Sequence, residues 1–155
     1  MNQQHQQDNQ EYLAFLGEIL QATSDSNGDA KIIYPILAAN QDKLNRTLVA
    51  QYQNWANHIL SQVAPEQTRN IAVDFVSFSN RIQQFPKGNR ASNLDIAIIG
   101  YELALTIFTR ADFAEYWAMT QNNLGEAYRN KITGNRGENL DEAIRCYQQA
   151  LEIFT

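Results

Sequence analysis

The sequence predicts an all-α fold: about seven helices joined by short loops, with a repeated helical unit. Three observations lead there. A 17-residue segment recurs at an offset of 46 residues. Apolar side chains are spaced three and four apart through most of the chain, the period of one helix face. Gly and Pro are scarce, with 7 and 3 in 155 residues, which favours long helices with short connections and disfavours an all-β sandwich or barrel.

A chain of 155 residues that is 44% hydrophobic suits one domain, or one domain with an appended piece, with a real core. The net charge of −5 and pI near 4.9 provide no overall positive field for a phosphate backbone, which disfavours nucleic acid as a partner. Met1 to Gln10 is rich in Gln and Asn and has no apolar run, so neither a signal peptide nor a membrane anchor is expected there. No stretch approaches the roughly 18 apolar residues of a membrane-spanning helix. The single cysteine, Cys146, cannot form an internal disulfide, and a reducing, cytoplasmic setting is expected.

Taken in order, Tyr12, Phe15, Leu16, Ile19 and Leu20 form the stripe of a first helix, which the turn Asp25-Ser26-Asn27-Gly28 closes. Ile32, Ile33, Ile36 and Leu37 predict a second helix, with Pro35 in its first turn or kinking it. Leu44, Leu48, Tyr52, Trp55, Ile59 and Leu60 make the third. Pro65-Glu66 is a helix start for the run Ile71, Phe75, Phe78, Ile82 and Phe85, which Pro86 ends. Asp112 to Glu115 has the spacing of a capping box and opens a helix carrying Trp117, Leu124, Ala127, Tyr128 and Ile132. These aromatic and aliphatic stripes are expected in the core or between repeats.

The recurring segments are NLDIAIIGYELALTIFT at 93–109 and NLDEAIRCYQQALEIFT at 139–155, identical at 11 of 17 positions. Residue frequencies of about one in twenty would give about one match. The same offset aligns Gly88-Asn89-Arg90 with Gly134-Asn135-Arg136, so the repeated unit is loop plus helix. Leu94, Ala97, Ile98, Tyr101, Ala104, Leu105 and Phe108 lie on one face, matched by Leu140, Ala143, Ile144, Tyr147, Ala150, Leu151 and Phe154. The alanines allow a neighbouring helix to approach closely while the tyrosines fill the space between. Helix starts are expected at Ser92 or Asn93 and at Asn139, the latter with Glu142 as a capping box, and Gly88 and Gly134 are expected to stop the preceding helices. A single helix of this kind cannot bury its apolar face alone, whereas stacked repeats can.

Leu124-Gly125, Tyr128, Ala143, Tyr147 and Ala150 together resemble the tetratricopeptide repeat (TPR). That family has Leu-Gly and then an aromatic in its first helix, followed by Ala, an aromatic and Ala in its second. The loop carrying Gly134-Asn135-Arg136 is longer than the family standard. This long-loop form, with WAMTQNNLGEAY and NLDEAIRCYQQALEIFT, is similar to bacterial arrays in proteins that end in a caspase-like CHAT peptidase domain, where the repeats act as recognition or regulatory arms. The resemblance covers 86–155 most fully, and 8–85 looks like the leader of such arrays. It implies a solenoid of antiparallel helix hairpins wound into a right-handed superhelix, with 1–64 as an N-terminal helical cap and 65–155 as repeats, 65–109 atypical and 112–155 TPR-like. Asp74-Phe75 stands where Leu-Gly would be expected, which marks the first unit as an atypical cap. Thr155 ends the second copy with neither a polar cap nor a closing Pro, and a fragment or short member of a longer protein is expected.

Candidate chemistry is sparse. Cys146 lies on a repeat helix between Arg145 and Tyr147, outside any peptidase signature, and is expected to serve packing. His5 and His58 are the only candidate bases and do not make a metal set with one cysteine; no metal, cofactor or catalytic residue is expected. GNRASN and GNRGEN lack the lysine of a phosphate loop. Arg81, Lys87 and Arg90, with Arg129, Lys131 and Arg136, could line a basic loop ridge attractive to an acidic peptide, against the plainer use of cations at helix C-termini.

In the family that these residues resemble, the first helix of each pair lines a concave groove. Met119, Asn122, Glu126, Arg129 and Asn130 would then face a partner, against the plainer reading of a solvated face. The function expected is a protein-binding scaffold. The alternatives are self-association through 139–155, where Ile144, Leu151 and Phe154 would be exposed, and a non-catalytic regulatory arm of a CHAT-type peptidase.

Overall fold

The computed structural model describes residues 3–154, and every regular element in them is helical. The helices are α1 (Gln3–Ser26), α2 (Ala30–Ala39), α3 (Arg46–Gln62), α4 (Pro65–Gln84), α5 (Arg90–Leu105), α6 (Ala114–Asn130) and α7 (Arg136–Leu151), with a 3-10 turn at Gln41–Lys43 before α3. The expected end of a helix at Thr155 lies outside the described residues, and α7 already stops at Leu151. From Gln3 the Gln-rich start forms the first turns of α1. Gln51 donates to the Asn9 side chain at 2.9 Å and Asn45 to the Tyr12 hydroxyl at 2.7 Å, which tie this helix to α3 and to its capping residue.

Local chemistry sets most boundaries. Asp29 caps α2 by accepting from the Lys31 amide, and Asn45 caps α3 by accepting from Leu48. Pro65 opens α4, where a missing N–H costs nothing. Pro35 sits in the second turn of α2, later than the first turn; its absent N–H leaves the Lys31 carbonyl without a helical donor.

Three helix starts differ from expectation. α5 and α7 begin one turn earlier, at Asn89 and Asn135, whose side chains accept from the Ser92 and Glu138 amides at 2.9 and 3.0 Å. Asn93 and Asn139, expected as caps, are buried and donate back to the Lys87 and Thr133 carbonyls, each at 2.9 Å. Gly88 and Gly134, both at φ +79°, lie four residues past the helices they were expected to stop and instead turn the loop into the next cap. The Asp112–Glu115 box does not form. Asp112 instead closes a side-chain turn with Thr109, and α6 starts at Ala114 with Ile132 beyond its end.

α4 packs along α5 and α6 along α7, and α5 also meets α3 and α6. α1 lies against α2, α3 and α4. α5 is apolar or small on nearly every side and is enclosed accordingly. Around it, Tyr52 meets Phe75 and Phe78 edge-on, each at 6.0 Å.

Each hairpin closes on a glycine, but on opposite partners. In α6–α7 a Cβ on Gly125 would lie 2.9 Å from the Tyr147 ring. In α4–α5 the glycine is on the second helix: a Cβ on Gly100 would lie 2.0 Å from Ser79 Oγ and 3.2 Å from the Phe75 carbonyl. Gly17 of α1 has nothing within 4 Å of such a Cβ. Gly100→Ala is therefore expected to destabilise the fold by about 1–3 kcal/mol through overpacking. Gly17→Ala is expected to stabilise it by about 0.5–1 kcal/mol through helix propensity. Chemical denaturation of the two variants checks the opposite signs.

Candidate functional site

Two surfaces stand out. The first is a polar groove between the C-terminal half of α4 and α6. Asn80 and Gln83 reach it from α4, Tyr101 from α5, and Asn123 and Glu126 from α6, around a hollow of about 210 Å³. A second hollow of about 390 Å³ adjoins it, bordered by Phe85, Pro86, Arg90, Glu126 and Asn130. The Tyr101 hydroxyl donates to Asn80 Oδ1 at 2.6 Å and approaches Gln83 Oε1 at 2.9 Å, while Asn123 donates to Asn80 at 3.2 Å. Three helices are thus joined through one amide cluster.

Of the expected groove residues, Glu126 and Asn130 border these hollows; Met119, Asn122 and Arg129 are exposed on α6 away from them. Asn80 and Gln83 are not among the expected groove residues, and Tyr101 is expected only to fill space between helices; all three come from a different hairpin, and no local signal ties them to α6. Among the basic residues, Arg81 donates to the Gly28 carbonyl at 2.7 Å. Arg90 and Arg136 donate to the Gln83 and Arg129 carbonyls, in the last turns of α4 and α6, where a cation answers the helix dipole. Lys131 sits 3.6 Å from Asp95 and bonds Thr133, and Lys87 is exposed.

The second surface is the outer face of α7. Ile98 of α5 is 4% exposed and Phe108, in the turn after α5, 0%; Phe108 stacks on Tyr116 at 4.7 Å and meets Phe113 edge-on at 5.5 Å. Their counterparts Ile144 and Phe154 are 52% and 45% exposed, and Leu151 is 59% exposed. The sequence pattern is the same in both copies. The difference is that α3 and α6 flank α5, whereas α7 packs mainly on α6.

Burial shapes the ionisable groups. It pushes the Cys146 thiol up to about 11, so the nucleophilic thiolate is disfavoured at neutral pH. It also raises Tyr101, and Glu102 where Tyr128 approaches the carboxylate at 3.4 Å. Asp74, half-buried on α4, is pushed up to about 6 by desolvation, partly opposed by a hydrogen bond from Ser24. Among the described residues no group of three or more His, Cys, Asp or Glu is placed to hold a metal ion, and no helix is long and apolar enough to cross a membrane. In comparisons with known proteins, no family model, curated protein or solved structure matches the chain.

Asp74 has a thermodynamic signature. Its folded-state pKa of about 6 lies above the ordinary 3.8, so between these values the folded chain binds more protons than the unfolded one. Stability therefore falls as pH rises through that window and levels off above it. Asp74→Asn is expected to stabilise the protein by about 1 kcal/mol at pH 7, after allowance for solvent screening, with no gain near pH 4. Unfolding midpoints at the two pH values check it.

Proposed function

We propose that this chain is a non-catalytic helical-repeat scaffold that binds other polypeptides, in the manner of a tetratricopeptide-like solenoid. The observation that carries this reading is the exposed face of α7. Ile144 and Phe154 are the counterparts of Ile98 and Phe108, which are buried, and Leu151 that of Leu105, which is partly buried. A helix offering aromatic side chains as Phe113 and Tyr116 do would cover that face as α6 covers α5. The order of packing, α4 on α5, α5 on α6 and α6 on α7, supports stacked hairpins.

A second copy of the chain is the simplest source of such a helix, which makes reversible self-association the first expected behaviour. The polar groove favours an additional contact. Its amides and Glu126 line a concave surface to which an extended backbone could both donate and accept.

Sedimentation equilibrium is expected to show association of the wild-type chain in the micromolar range. Ile144→Glu with Leu151→Glu is expected to weaken it at least tenfold, from about 1.5–3 kcal/mol for each aliphatic side chain no longer buried. A wild-type chain that stays monomeric at all concentrations would remove the self-association reading. For the groove, Asn123→Ala with Glu126→Ala is expected to reduce polypeptide binding, whereas Asn122→Ala with Arg129→Ala is not. The reverse result would move the contact to the outer face of α6.

A further inference from the structure

We propose that the cleft between α1, α3 and α4 binds a small organic cation, an ammonium or guanidinium head carried on an apolar body. The cleft measures about 410 Å³, within the range of small-molecule sites. Leu20 from α1, Trp55 and Ile59 from α3, and Ile71 and Phe75 from α4 form its apolar walls. Asp74 is the one ionisable residue lining it.

Charge decides the sign of the ligand. The one hydrogen bond that influences Asp74 comes from Ser24, and the one charge that does is Asp25, of the same sign. Among the described residues no cation forms an ion pair with it. A half-buried carboxylate without a counter-ion is costly to keep, and burial has already raised its pKa. A cation entering the cleft would relieve that cost, with Trp55 and Phe75 among the apolar residues lining the space for its body.

The space itself has an internal control. Leu16-Gly17-Glu18 of α1 repeats Leu124-Gly125-Glu126 of α6. In α6 the glycine receives the Tyr147 ring; in α1 the same glycine lines the cleft, with no atom within 4 Å of where its Cβ would be. The backbone of α1 is thus bared where its counterpart is filled by an aromatic ring. A volume of about 410 Å³ exceeds what one anchoring side chain of a partner would fill, which favours a free small molecule. This inference does not rest on the polypeptide-binding reading.

Titration calorimetry of the full chain at pH 8, where Asp74 is charged, tests it with phenethylamine, tryptamine and benzamidine as probes. The neutral 2-phenylethanol and a short peptide with one arginine between leucines serve as comparisons. At least one cationic probe is expected to bind, with affinity at least tenfold above that of 2-phenylethanol. Asp74→Asn is expected to weaken that binding at least tenfold. Gly17→Leu, which fills the cleft from an unobstructed position, is expected to abolish it while leaving the helical circular dichroism unchanged. Failure of all three cations to bind overturns the proposal, as does equal affinity in Asp74→Asn or for 2-phenylethanol. Tighter binding of the arginine peptide than of every free amine would also overturn it, in favour of a protein anchor.

Discussion

A helix that presents small or apolar side chains around most of its circumference has to be enclosed, and α5 is such a helix. Leu94, Ile96, Ala97, Ile98, Tyr101, Leu103 and Ala104 point in too many directions for one partner to cover. Three helices pack around it instead: α3, α4 and α6. That requirement orders the chain, since α4 and α6 are its sequence neighbours and α3 closes the remaining side. The approach of α4 is close enough that Gly100 leaves no room for a Cβ beside Ser79. α1 and α2 then cover the other side of α4.

The helices were legible in the sequence because the 3.6-residue period is a local signal, and the hairpin repeat because 11 of 17 residues recur. The burial of each copy was not. Ile98 and Ile144 sit in the same pattern yet differ in exposure, because burial belongs to the neighbours and not to the helix. The helix starts were misplaced for a related reason. Asn can cap a helix or bond a loop carbonyl, and Asn89 and Asn93 do one each. The recurrence of Gly-Asn-Arg with an Asn three residues on, at 88–93 and again at 134–139, was the clue that both asparagines belong to one clasp.

The candidate surfaces are less legible still. Glu126 and Asn130 were anticipated from their helix face, but Asn80, Gln83 and Tyr101 complete the groove from α4 and α5. The basic residues looked like a ridge in one dimension. In three, Arg90 and Arg136 turn back onto the helix ends they follow, which is a use of charge in folding. Asp74-Phe75 is expected in the place of Leu-Gly, but the two inter-helix loops are equally long and put Phe78-Ser79 there, so Asp74 is not a departure at that position. Its meaning depends on α1 and α3, far away in the chain.

The two hairpins place their glycines on different helices. In α6–α7 the first helix supplies the glycine, Gly125, and Tyr147 of the second helix fills the space. In α4–α5 the connecting loop has the same length as in α6–α7, so the offset of 46 runs through both, and Phe78-Ser79, not Asp74-Phe75, stands at the positions of Leu124-Gly125. The glycine is instead on the second helix, Gly100, where the other copy has Cys146, and Ser79 closes on it. The exchange of glycine between partner helices keeps each hairpin tight. Asp74 lies one turn before that contact, on the part of α4 that lines the cleft beside α1, so hairpin closure does not require a carboxylate there.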